Sequence, residues 1–195
     1  MTQKPLPVLT DLHLSSIDEI APVLHEDFLG ESVPRLREMF LHYIALPALL
    51  KFALSATHLS ELSLWAIDIK MTGYAPEAIA TCLATFPSLV ALSIGFESPR
   101  SRPDQIGMPP PTRAVLPTLT YFVFKGVNEY LEVLIARIDT PKLNKLIIRL
   151  MYLMFHIPHL HEFITSAKRI RVLNSAEVTF SSSGINIVLR SLSDR

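Results

Sequence analysis

A single cysteine, Cys82, leaves the chain without an internal disulfide, and six glycines in 195 residues are too few for Gly-rich loops that cradle nucleotide phosphates. Charge is equally sparse. Lys+Arg and Asp+Glu number 18 each, the formal net charge is zero, and charged residues make up 18% of the chain. That balance excludes a binder that depends on overall positive charge, so nucleic acid is not an expected partner. The 49% hydrophobic content excludes a solvated, disordered chain. The N-terminal stretch Met1-Thr2-Gln3-Lys4-Pro5 lacks the apolar core of a secretory signal. With the lone cysteine, this points to a reducing, intracellular setting, cytoplasm or nucleus.

One uncharged stretch, Ala78–Phe96, approaches the roughly 20 residues that a helix needs to cross a bilayer. Pro87 and Ser88 lie in its middle, Thr81, Thr85 and Ser93 dilute it, and no basic flank orients it, so no membrane span is expected. Motifs that carry chemistry are missing too. Gly-x-Ser-x-Gly, His-Glu-x-x-His and a phosphate-binding loop do not occur, and the carboxylates are scattered. Among seven histidines only His156, His159 and His161 cluster. With a helix starting at Pro158, the last two point to different sides, unlike ligands spaced at i, i+3 or i+4. Cys82 lies on an apolar helical face without a basic neighbour, the setting of a structural thiol and not of a nucleophile. No catalytic residue, cofactor or metal ligand is expected, and the chain reads as a non-enzyme.

What the sequence has in abundance is leucine, at 30 positions, and its placement is periodic. Aligning Leu9, Leu36, Leu59, Leu89, Leu119, Leu143 and Ile170 and reading three, five and eight residues onward gives the rows Leu9-Leu12-Leu14-Ile17, Leu36-Met39-Leu41-Ile44, Leu59-Leu62-Leu64-Ile67, Leu89-Leu92-Ile94-Glu97, Leu119-Phe122-Phe124-Val127, Leu143-Leu146-Ile148-Met151 and Ile170-Leu173-Ser175-Val178. Only Glu97 and Ser175 are not apolar, where the overall composition would leave about half the slots polar. Proline stands two residues before the column at Pro7, Pro34, Pro87, Pro117 and Pro141. The successive spacings of 27, 23, 30, 30, 24 and 27 fall in or near the roughly 20–29 residues of a leucine-rich repeat.

The L-x-L centre of each row is a short strand with period-2 side chains turned into a core, and one repeat alone cannot bury them. The expected fold is therefore α/β: a single leucine-rich repeat solenoid over residues 1–195, a right-handed superhelix of about seven irregular repeats. A parallel sheet is expected on its concave face, with helices or loops on the convex face. Proline ends each convex segment and releases the chain into the strand. Helical returns are expected over Ala75–Phe86, with Pro76 and Glu77 in the first turn; over Asn128–Ile138, with Asn128 as cap; over Pro158–Ala167; and over roughly Ile20–Leu29. Ser98–Arg113 is too Pro-rich for a helix and is expected as an extended surface loop, whose Arg100, Arg102 and Arg113 form a candidate contact for an acidic partner.

The stretches Leu54–Trp65, Tyr74–Leu83, Gly95–Asp104 and Phe122–Glu132 resemble the leucine-rich region of fungal F-box-type proteins. The resemblance covers most of residues 6–180 and implies a surface that reads substrates for a ubiquitin ligase. The F-box is not expected in this chain, which enters its first repeat at Leu9, so ligase assembly would require an F-box in a longer gene product.

In such a solenoid the residues between core leucines form columns down the concave face. The first column is Asp11, Glu38, Glu61, Ala91, Tyr121, Lys145 and Val172; the second His13, Phe40, Ser63, Ser93, Val123, Ile147 and Asn174; the third Ser15, His42, Trp65, Gly95, Lys125, Arg149 and Ala176. Acidic residues gather at one end and basic ones at the other. Phe40, His42, Trp65, Tyr121, Lys125, Lys145 and Arg149 are the candidate contacts for a protein or peptide, because aromatics and Arg dominate interface energetics. Two alternatives stand beside this reading: a repeat protein that regulates another enzyme such as a small GTPase, and a truncated fragment without independent function. Neither the first repeat nor the Ser-rich tail offers an obvious polar cap, so self-association through the ends is expected.

Overall fold

The computed structural model describes residues 8–17, 22–23, 33–44, 55–67, 75–96, 113–152, 157–167, 170 and 174–191. In chain order the elements are β1 (Asp11–Ser15), β2 (Glu38–His42), β3 (Glu61–Ile67), α1 (Pro76–Leu83), β4 (Ala91–Phe96), β5 (Ala114–Val115), β6 (Tyr121–Gly126), α2 (Asn128–Ile135), β7 (Ile138–Asp139), β8 (Lys145–Leu150), α3 (His159–Ser166), β9 (Ser175–Ser181) and β10 (Gly184–Arg190). Among the described residues the fold is α/β, with an eight-stranded sheet in the order β1-β2-β3-β4-β6-β8-β10-β9. The first six strands of that order are parallel, and β10 reverses against β8.

Each parallel strand after β1 is launched by the same turn. The N–H of Leu36, Leu59, Leu89, Leu119 and Leu143 bonds the carbonyl three residues earlier, on Val33, Ala56, Phe86, Leu116 and Thr140. Pro34, Pro87, Pro117 and Pro141 occupy the second position of that turn, where a fixed φ is an asset. Both ends of every turn are buried, which adds a column ahead of the leucines that begins Val33, Ala56, Phe86, Leu116, Thr140. The residue after each column leucine then receives the next strand: Thr10 O accepts from Arg37 and Glu38, Arg37 O from Ser60 and Glu61, Ser60 O from Val90 and Ala91, Val90 O from Thr120 and Tyr121, and Thr120 O from Asn144 and Lys145. Backbone groups of the connections are thereby paired from strand to strand.

Alternate strand residues and the helices enclose one core. Leu62, Leu64, Leu92, Ile94, Phe122, Phe124, Leu146 and Ile148 are buried against Ile79, Leu83, Leu131, Leu134 and Phe163. Pro76 opens α1 at a position that needs no N–H, with Glu77 in its first turn, and α1 buries Ile79, Ala80, Cys82 and Leu83. Phe96 lies 4.4 Å from the Tyr130 ring, and Phe122 meets Phe163 edge-on at 6.3 Å. Arg137, itself buried, donates to the Val133 carbonyl at the end of α2 and pairs at 3.1 Å with Glu77 of α1, tying neighbouring helices together.

Several expectations are corrected. The seventh repeat begins as one, with Ala167 and Ile170 fully buried. It then yields to an antiparallel hairpin, β9–β10, in place of another parallel strand: Ser175 opens β9 and Val178 is 52% exposed. The cause is local. Ser182-Ser183-Gly184 is a tight turn between two runs of alternating apolar residues, and Gly184 takes φ +150, a region closed to side chains. This hairpin also occupies the C-terminal side of the stack, where no cap was expected. At the other end Ile17, assigned to the core, is 99% exposed. Helix α2 stops at Ile135, its cap position is Val127 and not Asn128, and Ile138 joins β7, which pairs with β5 in a two-stranded parallel ladder. The expected helix near Ile20–Leu29 and the loop Ser98–Arg113 lie outside the described residues, apart from residues 22–23 and Arg113. No helix among the described residues is long and apolar enough to cross a membrane, and Ala78–Phe96 is a helix, a turn and a strand in succession.

Candidate binding face

The second face of the sheet carries the candidate contacts, and the strand pairing places them in register. Asp11, Glu38, Glu61, Ala91, Tyr121 and Lys145 are successive Cα partners across β1, β2, β3, β4, β6 and β8. His13, Phe40, Ser63, Ser93, Val123 and Ile147 form the next row in the same way. The third row departs from the expectation at one point: the register shifts after Leu64, where Ala66 takes φ 54, so Trp65 is not paired with Gly95. Its ring instead lies on Gly95, so closely that a Cβ there would stand 2.1 Å from Trp65 Cε3. A bulge in β3 has aimed the tryptophan, and the missing side chain in β4 has made room for it.

The hairpin completes the face with residues that the repeat register did not assign. Val188 of β10 is the partner of Ile147, replacing Asn174 in the second row. Val123, Ile147 and Val188 are buried together, and half-buried Trp65 and Tyr121 pack against them. This is an apolar cluster on the face opposite the main core. Toward β1 the character changes: the rings of His13 and Phe40 lie 5.7 Å apart, Phe40 and His42 stack at 6.4 Å, and Asp11, Glu38 and Glu61 line up exposed beside them.

The three basic candidates differ in their environment. Lys145 Nζ lies 4.9 Å over the Tyr121 ring, a cation–π contact that holds both side chains. Lys125 and Arg149 are exposed Cα partners on adjacent strands. Like charges directly opposite one another are destabilising by roughly 0.2–1 kcal/mol. Among the described residues no carboxylate pairs with either; the ion pairs there are Arg113–Glu162, Arg137–Glu77 and His159–Glu132. Both cations line a cavity of about 500 Å³ whose other walls are Leu150, Met151, Ser181, Ser183, Gly184, Ile185 and Asn186. Arg149 and Asn186 are Cα partners across β8 and β10, and the Asn186 Oδ1 is buried without a hydrogen-bond partner. Ser181, Ser183 and Asn186 escaped the repeat reading because they belong to the hairpin. The signal that could have found them is the Ser-Ser-Gly turn between alternating apolar runs.

Groups weighed for other chemistry are accounted for locally. His159 directs both its backbone N–H, at 2.8 Å, and its ring Nδ1 to Glu132 Oε1, joining the start of α3 to α2. His156 lies outside the described residues, among which no group of three potential ligands is placed to hold a metal ion. Burial pushes the Cys82 thiol up to about 12, so it is protonated at neutral pH and inert as a nucleophile. Arg113 pairs with Glu162 of α3 at 3.1 Å, which occupies one of the three arginines assigned to an acidic partner; Arg100 and Arg102 lie outside the described residues.

Set against protein-family models, curated proteins and solved structures, the chain matches none of them.

Proposed function

We propose that the chain is a leucine-rich repeat solenoid whose concave face, the second face of the sheet, binds a protein or peptide partner without catalysing a reaction. The observation that carries this reading is the agreement of sequence column and strand register over six strands. Because of it, aromatic, acidic and basic side chains separated by more than a hundred residues stand in two continuous rows and a third that is broken once, between Trp65 and Gly95. The partner presents an apolar or aromatic group to Trp65, Tyr121 and the Val123–Ile147–Val188 row. Basic groups of the partner meet Asp11, Glu38 and Glu61, and acidic groups meet Lys125 and Arg149. The resemblance to F-box-type repeat regions makes a ubiquitin-ligase substrate the first partner to seek.

Affinity purification with the intact chain, followed by direct titration of a recovered partner, tests the reading. Replacing Trp65 and Arg149 together with Ala is expected to weaken binding by about 30-fold or more, the 2 kcal/mol of an interface hot spot. Co-purification of ligase subunits fits substrate reading, whereas recovery of a small GTPase whose turnover changes on binding assigns the face to enzyme regulation. Unchanged affinity of the double variant for its partner would remove this face from the interaction.

A further inference from the structure

We infer that the cavity between β6, β8 and the hairpin turn is an oxyanion site that takes a phosphoryl dianion. Two cations stand side by side on adjacent strands with no carboxylate to balance them among the described residues. A phosphoryl monoester carries between one and a half and two negative charges at neutral pH and offers three acceptor oxygens, which balances both cations; a carboxylate leaves one of them unmatched. Arg149 brings a planar fork suited to two oxygens, and Lys125 a point charge. Opposite them the turn supplies hydroxyls. Ser181 Oγ gives its one proton to Gly184 O at 3.1 Å, so in the 3.0 Å contact between the two hydroxyls Ser183 is the donor, and its proton reaches a ligand by exchanging that bond for one to a phosphoryl oxygen. Asn186 also lines the cavity; its orphaned Oδ1 is an acceptor, so only its Nδ2 amide hydrogens can serve an anion there. Leu150 and Ile185, both buried, form an apolar floor that strengthens charge interactions above it.

The geometry also fits a phosphoryl group carried on a larger molecule. A cavity of about 500 Å³ exceeds the bare ion, and the buried row Val123–Ile147–Val188 runs beside its two cations on the same strands. The inference deepens the recognition reading through Lys125 and Arg149, which belong to both. Small anions test the cavity alone, so a failure here leaves Trp65-dependent partner binding standing, and the converse holds as well.

The experiment is titration of the isotope-labelled intact chain with inorganic phosphate, O-phosphoserine and acetate, followed through backbone amide shifts. Saturable shifts at Lys125, Arg149, Ser183 and Gly184 with both phosphoryl compounds, and none with acetate, are expected. Binding of O-phosphoserine should weaken between about pH 7.5 and about pH 5.5, across the second pKa of the phosphoryl monoester near 6. Lys125→Met and Arg149→Met should each lower affinity about tenfold, with Arg149→Lys between Arg149→Met and the parent. Lys142→Met, exposed and outside the cavity, should leave affinity unchanged. Tighter binding of O-phosphoserine identifies an ester as the source, and equal or tighter binding of phosphate identifies the free ion. Absence of saturation by about 10 mM, tenfold above a millimolar Kd, overturns the inference. So does affinity that ignores both Lys125→Met and Arg149→Met, since both residues are exposed and their replacement spares the core.

Discussion

The two ends of the sheet follow one sequence pattern into different physical states. At β1 the column residues Leu9, Leu12 and Leu14 are only partly buried, whereas their equivalents Leu119, Phe122 and Phe124 in β6 are fully buried. A leucine in the register slot is enough to set strand pairing, but burial depends on neighbours to either side, which an interior strand has and an edge strand lacks. The far end solves the problem differently. There the chain turns back on itself, and β10 covers the flank of β8 with a strand of opposite direction, leaving the exposed β9 as the edge.

The largest way to probe this contrast is to truncate equivalent slots. Phe122→Ala is expected to destabilise by about 3–5 kcal/mol. Leu12→Ala, in the same slot of the edge strand, is expected to cost only about 1 kcal/mol, because it removes a side chain already half in water. Urea denaturation monitored by circular dichroism measures both, and equal losses would show that β1 is packed as tightly as the interior.

Next in size is the hairpin's own hinge. A Cβ at Gly184 would stand 1.9 Å from the Leu150 carbonyl oxygen, and its φ of +150 is strained for any side chain. Gly184→Ala should therefore destabilise by about 1–3 kcal/mol and disturb the adjacent cavity. Loss of amide protection from exchange should begin in β9 and β10 and spare β2 and β3.

A smaller effect, of opposite sign, is expected in the buried column ahead of the leucines. Four of the five turns from Val33 to Thr140 begin on an apolar residue, but Thr140 is fully buried and its Oγ1 lacks a hydrogen-bond partner. Thr140→Val keeps the shape and removes the orphaned hydroxyl, so a gain of about 1 kcal/mol is expected in the same denaturation assay. Smallest in stability, yet visible in assembly, is the β9 edge, where Phe180 is 70% exposed beside Val178; the β1 edge carries Asp11, His13 and Ser15 instead. Phe180→Ser should change stability by less than about 0.5 kcal/mol and reduce any self-association seen by sedimentation velocity.

The parallel register was legible in the sequence, because period-2 leucines spaced by repeat lengths can be buried only by stacking. Phe40, His42, Tyr121, Lys125, Lys145 and Arg149 therefore stand in their rows as the columns predict. Trp65 kept its face but lost its partner, since a bulge is a backbone event around Ala66 that no residue pattern announced. The hairpin was missed for a different reason. The Ile170 row shares its register with six earlier rows, and that periodicity masks the local turn chemistry of Ser182, Ser183 and Gly184. The basic cavity went unseen with it, as half of its wall comes from that hairpin. Ladder β5–β7, two residues on each side, is too short for periodicity to register.

Trp65 is the only tryptophan in the chain, and it lies on the second face with its ring over Gly95. Nothing in the main core emits at its wavelength, so the chain carries a built-in optical reporter confined to the candidate binding face. Its emission maximum and its quenching by iodide follow the wetting of that face, and occupancy can be followed in unlabelled protein at the concentrations where a partner binds.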